Sequence, residues 1–287
     1  MEPRLPETLP VQAWTTHPAT VRVMDALARA GGEDAARFVG GCVRNALLRR
    51  PVADIDIATV LTPDAVAAAL QAAGIKAVPT GLAHGTVTAV VDGRPFEITT
   101  LRRDVETDGR HAVVAFTADW GEDAARRDFT MNALYADLEG QVFDPTGEGL
   151  GDLRNGAVRF VGDPAARITE DALRILRFFR FHALYGRGRA DAAALAACAE
   201  GRDLIARLSI ERIAKELLGL FGAEDPRPAV RLMAGAGVLG LTLPEANDLA
   251  RFDALVEIPG GEAPAGGPLP LAGAPLVSFS QPVFRQV

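Results

Sequence analysis

RFVGGCVRNALLRRPVADIDIA, residues 37–58, is the stretch that decides the fold. Arg37-Phe38-Val39 is a short run typical of a strand, and it leads directly into Gly40-Gly41. Val43 to Arg49 has helical spacing, whereas Asp54 to Ala58 alternates with a period of two, as a half-buried strand does. The segment therefore predicts a strand-turn-helix-strand unit.

The flanking sequence adds helices and a hairpin to this unit. Ala19 to Ala30 has the spacing of an amphipathic helix. Thr62-Pro63 opens another helix, because Thr is a good N-cap and Pro is tolerated at the first helical position. Thr86 to Val91 and Phe96 to Thr100 are β-rich runs joined through Asp92-Gly93, a dipeptide suited to a tight turn. Together these elements predict an α/β head with a mixed sheet and helices.

The sequence after the hairpin changes character twice. Residues 104–122 are polar with few periodic apolar positions, which predicts a mobile loop. Glycines and a proline between Asp144 and Gly151 mark a domain boundary. The helices predicted beyond this boundary cover Thr169–Ala183, Asp191–Ala199, Ser209–Phe221 and Pro228–Ala236.

These patterns divide the chain into four parts. We expect an α/β head over residues 19–150, an all-α neck over 151–222 and the start of a helical body over 223–255. Residues 256–287 form a Pro/Gly-rich tail. Five prolines and five glycines between Pro259 and Pro275 leave little prospect of a packed core, so an extended or disordered tail is expected.

Composition is that of a globular protein, since 48% of the 287 residues are hydrophobic. The two cysteines, Cys42 and Cys198, are too few for a disulfide framework and lack metal-ligand spacing. The sequence shows neither a signal peptide nor a run of membrane-spanning length, so a cytoplasmic location and no membrane partner are expected.

Charge is unevenly distributed along the chain. The formal net charge is −7, yet the segment from Arg154 to Arg189 carries eight arginines against three acids. Net charge describes the long-range field rather than the charge of one face. This segment is therefore a candidate phosphate-facing surface.

An acid pair is the first candidate catalytic feature. Asp54 and Asp56 lie two apart on a predicted strand, so both side chains leave the same face and can converge on a hard cation. Glu97, on the second strand of the hairpin, is a possible third carboxylate. Such a group suits magnesium-assisted phosphoryl transfer. Two exposed acids on an edge strand are the alternative interpretation.

Two further segments suit a nucleotide. Gly40-Gly41 precedes a helix that carries Arg44, and glycines followed by a helix start with an arginine form a natural seat for a triphosphate. In the segment Arg126–Ala133, Arg127 is suited to phosphate and Asp128 to a ribose hydroxyl. The alternatives are an ordinary strand-to-helix turn and a solvated helix start capped by Asp128.

The segment Glu170–Arg180 predicts a helix with polar residues at every third position. The side chains that lie away from its core stripe are Asp171, Arg174, Arg177 and Arg180. Asp171 and Arg174 would be neighbours, so that one acceptor and one planar fork of donors jointly address a base edge. An arginine-rich solvated face is the alternative, although three such arginines repel one another unless an anion binds.

Together these motifs resemble the class II tRNA nucleotidyltransferase and poly(A) polymerase family. The matching pieces are Gly40–Arg44, Asp54-Ile55-Asp56, Arg126–Ala133, Glu170–Arg180 and the neck-like Ser209–Leu217. The resemblance runs from about Arg37 to about Glu245. It implies a DNA-polymerase-β-like nucleotidyltransferase head followed by an all-α neck and a partial body.

The same resemblance implies the reaction and the roles of individual residues. It implies addition of CMP and AMP from CTP and ATP to the 3′ end of tRNA, with Asp54 and Asp56 as catalytic ligands of Mg²⁺. The residues implied to bind the nucleotide are Gly41, Arg44, Arg127, Asp128, Asp171, Arg174, Arg177 and Arg180. A poly(A) polymerase that uses ATP alone and a non-catalytic RNA- or nucleotide-binding relative are the alternatives.

The chain departs from the family pattern at two places. Asn45 stands where many members have an acid, at a position expected to touch no inferred ligand. The helical pattern fades after about Phe252, whereas the family continues into helical domains that hold tRNA. We therefore expect a shortened or replaced C-terminal part, weak tRNA binding and inefficient or poorly measured addition.

Overall fold

The computed structural model describes residues 8–81, 85–107, 112–244, 249 and 252, without the side chains of residues 104–107 and 112–114. Met1–Asn247 forms one compact unit and Asp248–Val287 a second. The division into head, neck and body stays a prediction within the first unit. The Pro/Gly-rich tail predicted for residues 256–287 lies outside the described residues.

Helices and strands alternate in the first part of the chain, and helices alone follow. The helices are α1 Pro18–Gly31, α2 Gly41–Leu47, α3 Pro63–Ala72, α4 Trp120–Ala125, α5 Gly149–Asn155, α6 Pro164–Glu170, α7 Leu173–Tyr185, α8 Ala192–Glu200, α9 Ile210–Phe221, α10 Arg227–Gly235 and α11 Leu239–Thr242. The strands are β1 Ala36–Val39, β2 Asp56–Thr59, β3 Lys76–Gly81, β4 Thr86–Val91, β5 Arg94–Thr100, β6 Arg102–Thr107, β7 Ala112–Phe116, β8 Tyr135–Ala136 and β9 Val142–Phe143.

Seven of these strands form a mixed sheet in the order β3-β4-β5-β2-β1-β8-β9. β2 and β5 are parallel, with Asp56 opposite Glu97 in register. The other neighbours in this sheet are antiparallel. The parallel pairing matters for function because it brings the acid pair next to the acid of the hairpin.

Local chemistry explains several of these elements. The Oγ of Thr62 accepts a hydrogen bond from the backbone N–H of Ala65 at 3.4 Å, which caps α3 as predicted. Asp92 and Gly93 both have positive φ, of 51° and 77°, as the tight turn between β4 and β5 requires. Gly40 has a φ of 69° and a ψ of −120°, a conformation that L side chains rarely adopt, and α2 begins at the next residue.

Buried apolar side chains join the sheet to the helices around it. Phe129, which precedes β8, packs against Phe160 at 4.9 Å and against Phe181 of α7 at 5.0 Å, measured between ring centroids. Phe178 of α7 stacks on Phe160 at 6.0 Å. Phe129, Phe160 and Phe178 are fully buried, so this aromatic cluster fixes α7 against the segment that contains Asp128.

The predicted mobile loop over residues 104–122 is wrong for its described part. β6 and β7 pair as an antiparallel hairpin, and α4 follows. The apolar run Ala112–Phe116 supplies β-forming residues, and the Asp119 carboxylate caps α4 by accepting from the N–H of Gly121 at 2.7 Å. Residues 108–111 lie outside the described part of the chain.

The prediction of a single helix over Thr169–Ala183 is also wrong, because the helix is interrupted between the end of α6 at Glu170 and the start of α7 at Leu173. Asp171 is extended, with φ −148° and ψ 106°, and its carboxylate accepts a hydrogen bond from the N–H of Leu173 at 3.0 Å. This local bond competes with helical continuation. Two smaller differences are that β2 begins at Asp56 rather than Asp54, and that α2 begins at Gly41 and ends at Leu47 rather than Arg49.

Candidate active site

Three carboxylates meet at the start of β2. Asp56 is partly buried and lies opposite exposed Glu97, and exposed Asp54 precedes it by two residues. Burial raises the pKa of Asp56, and the charges of Glu97 and Asp54 raise it further. The site therefore concentrates negative charge at a place where a cation relieves the repulsion.

No group of three or more His, Cys, Asp or Glu residues in the described ranges is arranged to hold a metal ion by itself. Divalent ions such as Mg²⁺ do not need a group of this size, since they are usually bound by one or two carboxylates and completed by substrate phosphates and water. Asp54 and Asp56 offer two such carboxylates next to the glycine turn.

Two arginines lie against the glycine turn. A Cβ placed on Gly40 would lie 3.7 Å from Nη1 of Arg127, and one placed on Gly41 would lie 3.7 Å from Nη2 of Arg44. Arg127 also lowers the pKa of Asp56 by its charge, which sets it near the acid group. The structure thus brings Arg44 and Arg127 to the Gly40-Gly41 turn, with Arg127 near Asp56.

Arg44 is a buried cation that is bonded to neutral groups. It is 8% exposed, and its guanidinium donates to Oδ1 of Asn132 at 2.5 Å, to the hydroxyl of Tyr185 at 2.8 Å and to Oδ1 of Asn45 at 3.0 Å. Burial lowers the pKa of Arg44. Asn45 contacts Arg44 directly, so this position supports a residue assigned to the nucleotide, while the expectation that it touches no ligand stays a prediction.

Arg127 is held by a buried acid on α4. Its Nη2 donates to Oδ2 of Asp123 at 2.8 Å, and its Nε donates to the hydroxyl of Tyr135 at 3.1 Å. The Tyr135 hydroxyl in turn donates to Asp123 at 2.7 Å. Burial alone would raise the pKa of Asp123, but Arg127, Arg126 and Tyr135 hold it at about 2. Asp123 therefore stays ionised and fixes the guanidinium.

Asp128 accepts four hydrogen bonds. Oδ1 accepts from the N–H of Phe129 at 2.8 Å and from Nδ2 of Asn132 at 2.9 Å. Oδ2 accepts from Arg177, from Nε at 2.8 Å and from Nη2. Burial opposes ionisation of Asp128, but Arg177 and the other donors lower its pKa. The carboxylate is thus ionised and ties the head segment to α7.

The arginines of α7 are paired with carboxylates. Nε of Arg180 donates to Oε2 of Glu216 at 2.6 Å, and Nη1 of Arg177 lies 3.9 Å from Oε1 of the same residue. Nη1 of Arg174 donates to Glu170 at 2.6 Å. The argument that these arginines repel one another unless an anion binds is therefore wrong, because acids from other elements neutralise them.

Asp171 and Arg174 do not form the joint pair that a continuous helix predicts. Asp171 accepts instead from Nη2 of Arg212 on α9 at 2.9 Å, while Arg174 pairs with Glu170. A cavity of about 180 Å³ lies beside Asp171, with Arg212 and Arg207 in its lining. The two residues predicted to read the base are thus close in sequence but engaged in separate ion pairs.

The ring of Phe181 is the point where the remaining residues meet. The guanidinium carbons of Arg44, Arg177 and Arg180 lie 5.2, 5.2 and 4.9 Å from its centroid. The structure therefore gathers three of the residues assigned to the nucleotide around one buried ring. Asp171 and Arg174 lie at the other end of α7.

Sequence reasoning did not assign roles to five residues of this network: Asp123, Asn132, Tyr135, Tyr185 and Glu216. Asn132 and Glu216 lie inside motifs that were recognised, so a search for acceptors to pair with the arginines would have found them. The other three lie in regions without a recognised motif. Asp123 pairs with Arg126 and Arg127, three and four residues later, so helical spacing could have indicated it. The Tyr185 hydroxyl bonds Arg44 and Asn45 from a distant segment, and local spacing carries no signal of that contact.

Comparisons with known proteins agree with this architecture. Residues 36–159 match the family model described as the poly A polymerase head domain, and residues 191–249 match the model described as a probable RNA and SrmB-binding site of polymerase A. No helix in the described part of the chain is both long and apolar enough to cross a membrane.

Two relatives and one solved structure are similar to most of this chain. The Mus musculus mitochondrial CCA tRNA nucleotidyltransferase 1 is 42% identical over 76% of this chain and 51% of its own length. The Streptococcus gordonii CCA-adding enzyme is 37% identical over 88% and 61%. The Bacillus stearothermophilus CCA-adding enzyme in complex with CTP is 33% identical over 78% and 53%, with a TM-score of 0.67.

The chain thus spans 51–61% of the length of these proteins. The structural similarity confirms the expected polymerase-β-like nucleotidyltransferase head followed by a helical neck. Since the head model, the relatives and the solved structure agree with one another, the chain belongs to the class II tRNA nucleotidyltransferase and poly(A) polymerase family.

Proposed function

We propose that this chain transfers CMP and AMP from CTP and ATP to the 3′ end of tRNA and releases pyrophosphate. The observation that carries the proposal is the grouping of Asp54, Asp56 and Glu97 near Arg127, which lies against the glycine turn together with Arg44. The names of the relatives as CCA-adding enzymes, one of them bound to CTP, support the choice of substrates.

Asp54 and Asp56 are the proposed ligands of Mg²⁺. Nucleotidyltransferases of this family generally use divalent metal ions, and magnesium is the finer choice, made because the ligands are carboxylates and substrate phosphates. When bound, the ion activates the 3′-hydroxyl and neutralises charge on the departing pyrophosphate. Glu97 faces the same site and is a candidate third carboxylate.

Arg44 and Arg127 are proposed to hold the triphosphate. A phosphate at the Gly40-Gly41 turn would lie close to both guanidinium groups and would add an anionic acceptor to the neutral groups that Arg44 now bonds. Gly41 has no side chain, so the backbone there can approach the triphosphate closely. Asp128 is proposed to accept a hydrogen bond from a ribose hydroxyl. This hydrogen bond would have to replace one of the four that Asp128 accepts in the structure.

The base is proposed to lie along α7. Asp171 and Arg174 would read its edge, with Arg177 and Arg180 in support. Base reading by Asp171 requires that its pair with Arg212 open or rearrange, and the cavity beside these two residues provides room for that movement.

In the reaction, the RNA 3′-oxygen forms a bond to the α-phosphorus while the bond from that phosphorus to the β-phosphate oxygen breaks. The hydroxyl proton leaves to solvent and pyrophosphate carries away the bonding electrons. Arg44 and Arg127 stabilise the charge that accumulates on the phosphates. We place this reaction in the cytoplasm.

The test is to incubate the chain with tRNA that lacks its 3′-terminal CCA, with Mg²⁺ and with CTP, ATP or both, and to sequence the products. Addition of C, C and A in that order supports the proposal. A homopolymer of A from ATP alone would establish the poly(A) polymerase alternative. Nucleotide binding without any incorporation would establish the non-catalytic alternative.

A further inference from the structure

Seven of the eight arginines in segment 154–189 fall into two sets in the structure. The inner arginines that take part in ion pairs are Arg159, Arg167, Arg174, Arg177 and Arg180. Arg187 and Arg189, in contrast, are exposed, and neither makes an ion pair in the ranges that the structure describes. Arg187 and Arg189 therefore place positive charge just after the C-terminal end of α7, without an ion-pair partner in the described ranges.

One arginine of the head contacts the same end of α7, and a second exposed arginine precedes it in sequence. Arg49 and Arg50 follow α2 and are exposed. Nη1 of Arg50 donates to the backbone carbonyl of Leu184 at 2.7 Å, and its guanidinium carbon lies 4.8 Å from the ring centroid of Tyr185. Arg50, with Arg49 next to it in sequence, and the turn after α7 therefore lie at the same end of α7.

This surface lacks acids in the segments that form it. Residues 41–53 and 172–190 contain no Asp or Glu. The backbone N–H of Arg187 donates to the carbonyl of Gly156 at 2.9 Å, so the turn that carries Arg187 is held against the protein. A local excess of positive charge thus stands on an ordered surface of a chain whose net charge is −7.

Tyr185 connects this surface to the active site. Its ring lies 4.2 Å from the guanidinium carbon of Arg44 and 4.8 Å from that of Arg50. Its hydroxyl accepts from Arg44 at 2.8 Å. Positive charge therefore continues from the buried Arg44, beside the proposed triphosphate seat, to exposed arginines at the surface.

We propose that Arg49, Arg50, Arg187 and Arg189, the outer arginine surface, bind the phosphodiester backbone of the RNA strand whose 3′ end receives the nucleotide. The inference rests on the proposed function. A free nucleotide carries its charge in one compact triphosphate, which suits Arg44. Charges spread over two elements at the surface suit the regularly spaced phosphates of a nucleic acid strand.

The test compares the triple variant Arg49→Ala/Arg187→Ala/Arg189→Ala with the unmodified chain. Arg50 is left in place because it bonds to Leu184 and stacks on Tyr185. The control removes two exposed arginines of α1, by Arg22→Ala/Arg29→Ala. Binding of a fluorescent tRNA that lacks CCA is titrated at several salt concentrations between about 0.05 and about 1 M.

Each lost phosphate contact reduces the slope of log affinity against log salt by about 0.7 for a single strand. The triple variant should therefore lose about 2 from its slope and bind about 100-fold more weakly at about 0.1 M salt, with the two curves converging near 1 M. ATP affinity without RNA and the unfolding temperature should not change. The α1 control should bind RNA like the unmodified chain.

The outcomes separate this inference from the proposed function. If the unmodified chain extends tRNA but the triple variant keeps its salt slope, the outer arginine surface is not the RNA site and the proposed function stands. An equal loss in the α1 control would show a general charge effect and would also overturn the inference. A chain that neither binds nor extends RNA would overturn both.

Discussion

Glu216 on α9 accepts a hydrogen bond from Nε of Arg180 on α7 at 2.6 Å, and it is only 5% exposed. Nη1 of Arg177 lies 3.9 Å from the same carboxylate. A Cβ on Gly219 would lie 2.6 Å from Cδ of Arg180, so the arginine stem packs directly on α9. One buried acid thus positions two arginines proposed to support the nucleotide.

Glu216→Gln should lower the free energy of unfolding by about 1–3 kcal/mol, because a charged hydrogen-bond partner is lost while the volume is kept. It should also raise the KM for ATP and CTP more than it lowers kcat, since Arg177 and Arg180 are less well fixed. Chemical unfolding and initial rates measure the two effects. Glu224→Gln, at an exposed acid just after α9, is the matched control. An unchanged KM in a folded Glu216→Gln variant would contradict the positioning role.

Asp123→Asn should impair nucleotide use through Arg127. The amide cannot balance the charge of Arg127 and Arg126, so the guanidinium beside Gly40 becomes less well fixed. We expect a fall in kcat/KM for both nucleotides. Tyr135→Phe, which removes one donor to Asp123 and keeps the acid, should show a smaller fall. Equal kinetics in Asp123→Asn and the unmodified chain would show that Arg127 needs no such support.

The pKa of Asp123 also predicts how stability depends on pH. The pKa is about 2 in the folded protein, below the ordinary value of 3.8. Ionised Asp123 therefore contributes its full stabilisation at pH values above 3.8, the pKa of this group in the unfolded chain. The contribution is lost as the pH falls towards about 2. The difference corresponds to about 2 kcal/mol. Urea unfolding between pH 6 and pH 3 should show the stability gap between the unmodified chain and Asp123→Asn narrowing with acid. A gap that is constant over this range would contradict the assignment.

Local patterns predicted most of the elements that build the head. Thr62 as a cap and Asp92-Gly93 as a turn were found because each acts on its immediate neighbours. The parallel register of Asp56 with Glu97 was not predictable in the same way, since it joins two strands separated along the chain. The sequence suggested only that each acid alternates with apolar residues along its own strand, so that both could lie on the same face of the sheet.

The candidate site shows the same limit. The arginines of α7 were recognised from spacing, but the acids that neutralise them, such as Asp128 and Glu216, come from other elements. The break at Asp171 was missed because one hydrogen bond from the N–H of Leu173 outweighs an otherwise helical pattern. Contacts between distant segments, rather than local propensity, decide which of these charges remain available to a ligand.

Asp56→Asn should abolish nucleotide addition without loss of stability. Removal of the charge leaves one fewer proposed ligand for the cation, and it also relieves repulsion with Glu97 and Asp54. The unfolding temperature should therefore be unchanged or slightly higher, while incorporation of labelled nucleotide into RNA is lost. Asp64→Asn, at an exposed acid in the first turn of α3, is the control and should retain full activity. Near-normal turnover of Asp56→Asn would defeat the metal assignment.

Asp171→Ala should change which nucleotide is incorporated more than how tightly triphosphate binds. Asp171 lies beside a cavity of about 180 Å³ and is remote in sequence from the phosphate seat at Gly41. A lost base-edge contact costs about 1–3 kcal/mol, which corresponds to discrimination that is weaker by about 5- to 150-fold. Competition between the four nucleotides in one reaction measures this ratio directly.

Arg212→Ala distinguishes recognition of the base by Asp171 from a structural role of the Asp171–Arg212 ion pair, because it removes the present partner of Asp171 and leaves the carboxylate in place. If Asp171 reads the base, Arg212→Ala should retain most of the discrimination that Asp171→Ala loses. Equal nucleotide preference in Asp171→Ala and the unmodified chain would show that the base is read by other residues.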